Sequence, residues 1–303
     1  MKNITEENSR ADKKTAVAMG IFDGFHTGHR AVFSKLKSFE KNGLLPAVFT
    51  FVTESIVKKH DSKYRFIISN DKKLSLAEQY GVEYVYCPDF ADIKDMSAEQ
   101  FASEILAEKL NASAVVCGPE FRFGKGASCG IDELRKLGEI NGFSVKTVEP
   151  VNIDNIKVSS TLIKELISSG DIRKANMLLG YSFVIDSTVV HGNEIGRTID
   201  FPTLNQSFLP GQVIPRYGVY ATETVIDGRS YASVTNVGVK PTIKGSSPPL
   251  AETHILGYKG DLYGTNPEVR FTEFIRPECR FSSLDELRDQ IRKDIQTASA
   301  VRR

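Results

Sequence analysis

Met19-Gly20-Ile21-Phe22-Asp23-Gly24-Phe25-His26-Thr27-Gly28-His29 is the stretch that decides how the first half of the chain folds. The apolar run Ala16 to Phe22 reads as a buried strand that breaks at Asp23-Gly24. A helical pattern begins near His29, with Val32, Phe33, Leu36 and Phe39 on one face. A tight turn from strand into helix aims open backbone N–H groups and the positive end of a helix at one point, where a phosphate can sit. Gly20, Gly24 and Gly28 let the main chain approach a ligand that a side chain would block. His26 and His29, three apart, can face one anion and donate to it. Each feature alone reads as a glycine-rich turn with surface histidines; together they point to nucleotide binding.

The 303 residues leave room for two domains. Lysine and arginine total 39 against 38 aspartate and glutamate, a net charge of +1 that gives no general pull toward nucleic acid or an anionic membrane. Neither is expected as a partner, and an anionic ligand needs a local site. Cys87, Cys117, Cys129 and Cys279 form no CxxC pair; Cys87 and Cys117 lie in or beside strand-like runs as expected core residues. The pattern fits neither a disulfide framework nor a zinc site and agrees with a reducing cytoplasm. Residues 1–14 are polar, lack the apolar core of a signal peptide, and are expected to be a flexible tail. No apolar run reaches the length of a membrane span. Oligomeric state is left open.

From Thr15 to about Val148 strands alternate with helices. Further strands are expected at Pro46 to Phe51, Val82 to Tyr86, Ala114 to Cys117 and Ser144 to Val148. Helical patterns cover His29 to Asn42, Asp71 to Tyr80, Ser97 to Leu110 and Ile131 to Asn141. Ser97 and Gln100 suit a capping box, and Gly43 and Gly81 suit helix ends. The alternation predicts an open parallel sheet, with ligands beyond the carboxyl ends of its strands. Past a boundary near Tyr181 the pattern turns to strands: Phe183 to Val190, Tyr217 to Ile226, Tyr231 to Val237, Glu252 to Leu256 and Glu268 to Ile275. Asp227-Gly228 signals a hairpin, and the whole predicts an antiparallel barrel. A final helix is expected, with Ser283 and Glu286 as capping box and Leu284, Leu287, Ile291 and Ile295 as its apolar stripe.

Within the opening stretch, His26-Thr27-Gly28-His29 resembles the HxGH signature of the α/β nucleotidyltransferases. The longer Gly-x-Phe-Asp-Gly-x-His-x-Gly-His string resembles the adenylyltransferase half of the bacterial bifunctional riboflavin kinase/FAD synthetases. Other segments resemble that family in the same order. They are Gly118-Pro119-Glu120-Phe121-Arg122-Phe123-Gly124, Val158-Ser159-Ser160-Thr161-Leu162-Ile163-Lys164, the glycine loop from His191 to Pro202-Thr203-Leu204-Asn205, Asn236 to Thr242, Glu252-Thr253-His254, and Phe274-Ile275-Arg276-Pro277-Glu278. Read without the family, Phe121 and Phe123 serve equally well as stacking faces or core plugs, Ser159 to Thr161 as a helix cap, and Thr203 and Asn205 as turn residues.

The resemblance implies an α/β nucleotidyltransferase domain with a Rossmann-like parallel sheet over residues 15–180. It also implies a C-terminal antiparallel β-barrel riboflavin kinase domain with a terminal helix over residues 181–303. It implies phosphorylation of riboflavin to FMN and adenylylation of FMN to FAD, with ATP as co-substrate and Mg²⁺ as cofactor. Glu252 is then the kinase base, Thr203 and Asn205 hold the metal, and His26 and His29 act in adenylyl transfer. ATP and its phosphates fall to Gly20, Phe22, Asp23, Gly24, Gly28, Ser159, Ser160, Thr161, Lys164, Gly192, Gly196 and Arg197. The flavin falls to Glu120, Phe121, Phe123 and Arg276. Two departures stand out: Val52-Thr53-Glu54-Ser55 replaces a common Pro-His-Pro element, and Lys164 replaces an arginine, giving up its two-pronged grip on phosphate. They motivate one alternative, a riboflavin kinase whose other half has weakened or lost activity; a second, from a different class, is a flavin-binding regulator that keeps both pockets without turnover.

Overall fold

In the computed structural model, residues 1–4, 10–59, 65–191, 201–239 and 248–301 are described, and packing divides the chain into two units, Met1–Ser160 and Thr161–Arg303. The first is built on six parallel strands, β1 (Lys2–Asn3), β2 (Thr15–Met19), β3 (Leu45–Phe49), β4 (Tyr84–Tyr86), β5 (Ala112–Cys117) and β6 (Ser144–Thr147), in the order β1-β4-β3-β2-β5-β6. Every residue of β2 is buried, as an apolar strand must be when helices cover both faces of its sheet. The chain steps outward from β2 through β3 to β4, then returns to the opposite side of β2 as β5. That reversal is the switch point at which open α/β sheets bind ligands. The Gly20–His29 stretch leaves β2 there, and the Gly118–Gly126 loop leaves β5 beside it.

Helices α1 (Thr27–Lys37), α2 (Thr53–Lys59), α3 (Asn70–Gln79), α4 (Phe90–Ile93), α5 (Ala98–Gln100) and α6 (Ile131–Asn141) join the strands. The Ser97–Gln100 capping box forms as expected. Beyond it the winding widens into a π-helix over Phe101–Lys109, with Leu110 N donating to the carbonyl of Ile105, five residues back, at 2.9 Å. The amino-terminal residues correct the expectation of a flexible tail. Lys2 and Asn3 pair with β4, while Ile4 and Ala11 are buried. An exposed sheet edge offers unpaired backbone groups, and this segment satisfies some of them.

After a short hairpin, β7 (Asn152–Ile153) and β8 (Ile156–Lys157), come α7 (Ser160–Ser169) and α8 (Ile172–Leu179). Packing joins α8 to the second unit: Asn176 donates to the carbonyl of Phe271 at 2.8 Å and accepts from Phe183 N at 2.7 Å. The packing division at Ser160/Thr161 thus falls earlier than the boundary expected near Tyr181.

Strands β9 (Val184–Ile185), β10 (Val189–Val190), β11 (Leu204–Ser207), β12 (Gly218–Ile226), β13 (Arg229–Gly238), β14 (Leu250–Ile255) and β15 (Glu268–Arg276) form one curled antiparallel sheet, ordered β10-β11-β14-β13-β12-β15-β9. This is the barrel-type architecture that the sequence predicts. Asp227 (φ 49°) and Gly228 (φ 75°) are both left-handed, the requirement of a two-residue turn that matches strand twist. The terminal helix α9 (Leu284–Val301) packs Ile295, Ala298 and Val301 against Val219, Ala221 and Val234. Leu284 is 57% exposed, so the packed stripe starts later than its sequence pattern. Ser283 accepts from Glu286 N at 3.2 Å, but the Glu286 carboxylate turns to Ser282 N at 3.0 Å, leaving the capping box half-closed.

A buried ion pair fixes this helix. Asp294, 2% exposed, accepts from Arg276 Nε at 3.0 Å and Nη2 at 2.8 Å, and from Gln290 at 2.9 Å. Breaking such a pair strands its partner, so Asp294→Ala is expected to destabilise the second unit by about 3 kcal/mol, read from the denaturant midpoint. A midpoint unchanged from the parent protein would contradict that role.

Candidate active sites

In the first unit the turn after β2 is held in unusual backbone. Phe22 (φ 52°), Gly24 (φ 80°) and Phe25 (φ 39°) are all left-handed. The rings of Phe22 and Phe25 are buried against Phe33 at 5.0 and 4.5 Å between centroids, which anchors the turn from below. Phe22 therefore contributes main-chain shape, with its ring spent on packing. A side chain at Gly20 would meet that ring at 3.0 Å. Asp23 is buried; its Oδ1 accepts from Ile67 N at 2.7 Å and its carbonyl accepts from the Ser160 hydroxyl at 2.8 Å. Thr50 donates to the carbonyl of Ile21 at 3.0 Å, tying the end of β3 to the same turn.

His26 caps α1. Its Nδ1 accepts from the backbone N of His29 at 3.3 Å, which places the proton of the neutral ring on Nε2. The two imidazoles stack at 3.6 Å and 17°, and Gly28 makes room, since a Cβ there would meet the His26 ring at 3.1 Å. Burial pushes the His26 pKa from 6.5 down to about 4. Burial first, and the neighbouring His26 second, hold His29 well below its ordinary value. His29 is half-buried as a residue, yet its Nδ1 is enclosed and has no hydrogen-bond partner among the described residues. A neutral pair of stacked rings, one with an unsatisfied buried nitrogen, is suited to donate to an arriving oxyanion.

In the loop that follows β5, Phe123 is buried against Phe101 at 5.8 Å, while Phe121 is half-buried and stacks on Phe123 at 6.2 Å. One ring plugs the core and the other keeps part of its face. Arg122 braces the loop through the carbonyls of Ala127 and Ser128 at 3.1 and 3.0 Å. Glu120 meets Lys157 at 2.8 Å in solvent, a pair of little energetic weight. Where the Pro-His-Pro element would stand, Thr53 opens α2. Ser159 and Ser160 are half-buried at the start of α7; Thr161 is exposed and Lys164 half-buried, both on the second unit's side of the packing division.

In the second unit Asn205 is a strand residue, while Thr203 stands one residue before the strand begins. Asn205 lies in β11 and is directly opposite Glu252 of β14, which in turn is opposite Asn236 of β13. Directly opposed residues share a face, so a carboxylate sits between two amides, with Thr203 two residues before Asn205. His254, two residues beyond Glu252, shares a 2.8 Å hydrogen bond between its Nδ1 and the carbonyl of Pro202, the residue before Thr203. Past Thr203 a cavity of about 90 Å³ opens on the other face of these strands, lined by residues that include Leu204, Thr253, Ile255, Tyr258 and Tyr263. No site role falls to Asn236 in the sequence because only strand register brings it to Glu252, and none to His254 because its partner, the Pro202 carbonyl, comes from another segment. Arg276 is committed to Asp294, so its fork is already engaged. Gly192, Gly196 and Arg197 lie outside the described residues.

Residues 8–162 match the FAD synthetase family, and residues 179–302 match the riboflavin kinase family, Flavokinase. A protein of Escherichia coli strain K12, described as bifunctional riboflavin kinase/FMN adenylyltransferase, is 35% identical over 93% of this chain and 91% of its own. The Bacillus subtilis protein of the same description is 33% identical over 94% of this chain and 92% of its own. A solved structure from Streptococcus pneumoniae, described as a macrolide-efflux protein, is similar with a TM-score of 0.85 and 29% identity, covering 98% of this chain and 97% of that one. Among the described residues no helix is long and apolar enough to cross a membrane.

The pH dependence of stability follows from the histidines. Unfolded, they take up protons below about pH 6.5; folded, His26 does so only near 4, and His29 is displaced in the same direction. Their contribution is therefore intact above pH 6.5 and lost as pH falls toward 4, by about 3 kcal/mol for His26 from that shift. His26→Asn keeps a capping oxygen but cannot titrate. It is expected to flatten the fall of the thermal midpoint across that range, and parallel curves for the two proteins would contradict the assignment.

Proposed function

The chain belongs to the bifunctional riboflavin kinase/FMN adenylyltransferase family, and on that footing we propose how its residues divide two consecutive reactions on one flavin. It phosphorylates riboflavin to FMN with ATP, then adenylylates FMN to FAD with release of pyrophosphate. We assign the first reaction to residues 181–303 and the second to residues 15–180.

In the kinase half, Glu252 removes the proton from the ribityl 5′-hydroxyl as that oxygen attacks the γ-phosphorus of ATP and ADP departs. The observation that carries this assignment is the register that sets Glu252 opposite Asn205. The Thr203 hydroxyl and the Asn205 amide oxygen are hard neutral donors and fit Mg²⁺ arriving with a triphosphate. That ion, when bound, neutralises charge on the phosphates. His254 holds the Pro202–Thr203 segment against the strand that carries Glu252. The cavity beside Thr203, with Ile255, Leu262 and the two tyrosines, is offered to the adenine ring. Gly192, Gly196 and Arg197 are assigned to the phosphates by sequence alone, and Arg276 reaches the flavin only if its pair with Asp294 yields.

In the transferase half the nucleophile is the FMN phosphate, already anionic, so no protein nucleophile is required. It attacks the α-phosphorus of a second ATP. His26 and His29 donate to the charge that develops there, helped by backbone N–H groups of the Gly20–Gly28 turn. Ser159 and Ser160, followed in the same helix by Thr161 and Lys164, take the leaving pyrophosphate. Glu120, Phe121 and Phe123 are assigned to the flavin, with Phe121 offering the open ring face. We place the enzyme in the cytoplasm, supported by four free cysteines, with neither nucleic acid nor membrane as partner.

His29→Ala is expected to lower FAD formation from FMN by roughly 100-fold or more while sparing FMN formation. Glu252→Ala is expected to do the reverse, at least about 100-fold in FMN formation with FAD formation intact when FMN is supplied. Loss of both activities from either change in a folded protein would overturn the division of labour.

A further inference from the structure

Lys73 is the one lysine or arginine among the described residues whose side chain is buried, at 1% exposure. A buried ammonium is costly, and an apolar chain of the same size fills such space at no such cost. Its hydrogen bonds show where the charge is spent. From α3, Lys73 Nζ donates to the carbonyl of Phe51 at 2.5 Å and to the hydroxyl of Thr53 at 3.0 Å, in the short segment that follows β3. Thr53 is itself buried. This corner stands next to the turn after β2, to which Thr50 is already tied. Two carboxylates act on the ammonium through charge, Asp23 in the turn and Glu54 on α2, and Cys87 after β4 does so once its thiol, pushed up by burial, ionises. Asp23, which secures the turn through Ile67, thus lies within the field of the buried cation.

We propose that Lys73 is a positioning residue for adenylyl transfer: its buried ammonium fixes the Phe51–Thr53 corner against the Gly20–His26 turn and so sets the shape in which the switch point meets the triphosphate and FMN. The proposal rests on the assignment of FAD formation to this half. Burial holds the Lys73 pKa below its ordinary 10.5, so its charge, and the corner with it, is lost as pH rises through that lowered value. Asp23, Glu54 and Cys87, which face the ammonium, act on that titration.

The test uses the full chain and measures both activities in each protein. If the parent protein makes no FAD from FMN and ATP, the assignment of this half fails, separately from the role of Lys73. With the parent active, Lys73→Met, close in volume and uncharged, is expected to lower kcat for FAD formation on the order of 100-fold. FMN formation by the same protein should stay unchanged, and the alkaline fall of FAD formation should disappear. FAD formation equal to the parent's, with the same alkaline limb, overturns the proposal. Should Lys73→Met also lower the unfolding midpoint, Thr53→Val decides. This variant keeps the lysine and the shape of its neighbour and removes one anchor. A lower kcat with a displaced alkaline limb supports the proposal; an unchanged kcat and limb overturn it.

Discussion

Phe22, Gly24 and Phe25 hold left-handed backbone within four residues, and the first site depends on that constraint. For residues with a Cβ this costs on the order of 1–2 kcal/mol each, so it persists only where packing over-determines it. Here the rings of Phe22 and Phe25 are buried on Phe33, and the Asp23 carboxylate is locked to Ile67. The strained turn delivers His26 in extended backbone at the start of α1, where its Nδ1 is consumed as a cap. The tautomer, the stacking on His29 and the loss of basicity follow from that placement. A looser turn would leave two ordinary surface imidazoles, charged below pH 6.5 and free to rotate.

The second site depends on register in the same way. A slip of one residue would move Glu252 to the other face of the sheet. That other face is pinned by a ladder of buried hydroxyls: Thr222 bonds to Ser233 and Thr235 at 2.8 Å, and Thr235 to Thr253 at 2.9 Å. Hydroxyls buried to this degree must find one another, so the ladder ties β12, β13 and β14 in one alignment. Thr253 faces the ladder, and its neighbour Glu252 is therefore held on the opposite face, between Asn205 and Asn236. The buried face of the sheet sets the chemistry of the other.

Much of this is legible in the sequence because it is local. The strand-break-helix pattern around Asp23-Gly24, the Ser97–Gln100 box and the Asp227-Gly228 hairpin each follow from a few adjacent residues. What escapes depends on distant partners. The docking of Lys2 and Asn3 needs the edge of β4, and β11 is too short and polar to announce itself before β14 pairs with it. The engagement of Arg276 by Asp294 joins two elements, and the burial of Lys73 appears only once α3 lies against the end of β3. Motifs mark where a site begins; the partners that set its geometry come from topology.

The central claim is that two sites extend one flavin in succession, the first adding the γ-phosphate of ATP and the second the adenylyl group. Incubation of the protein with riboflavin, Mg²⁺ and ATP labelled in parallel at the γ- or the α-phosphate follows both transfers directly. The account predicts γ-label in FMN that persists in FAD, and α-label in FAD but never in FMN. FAD lacking γ-label, or α-label confined to unreacted nucleotide, would contradict it.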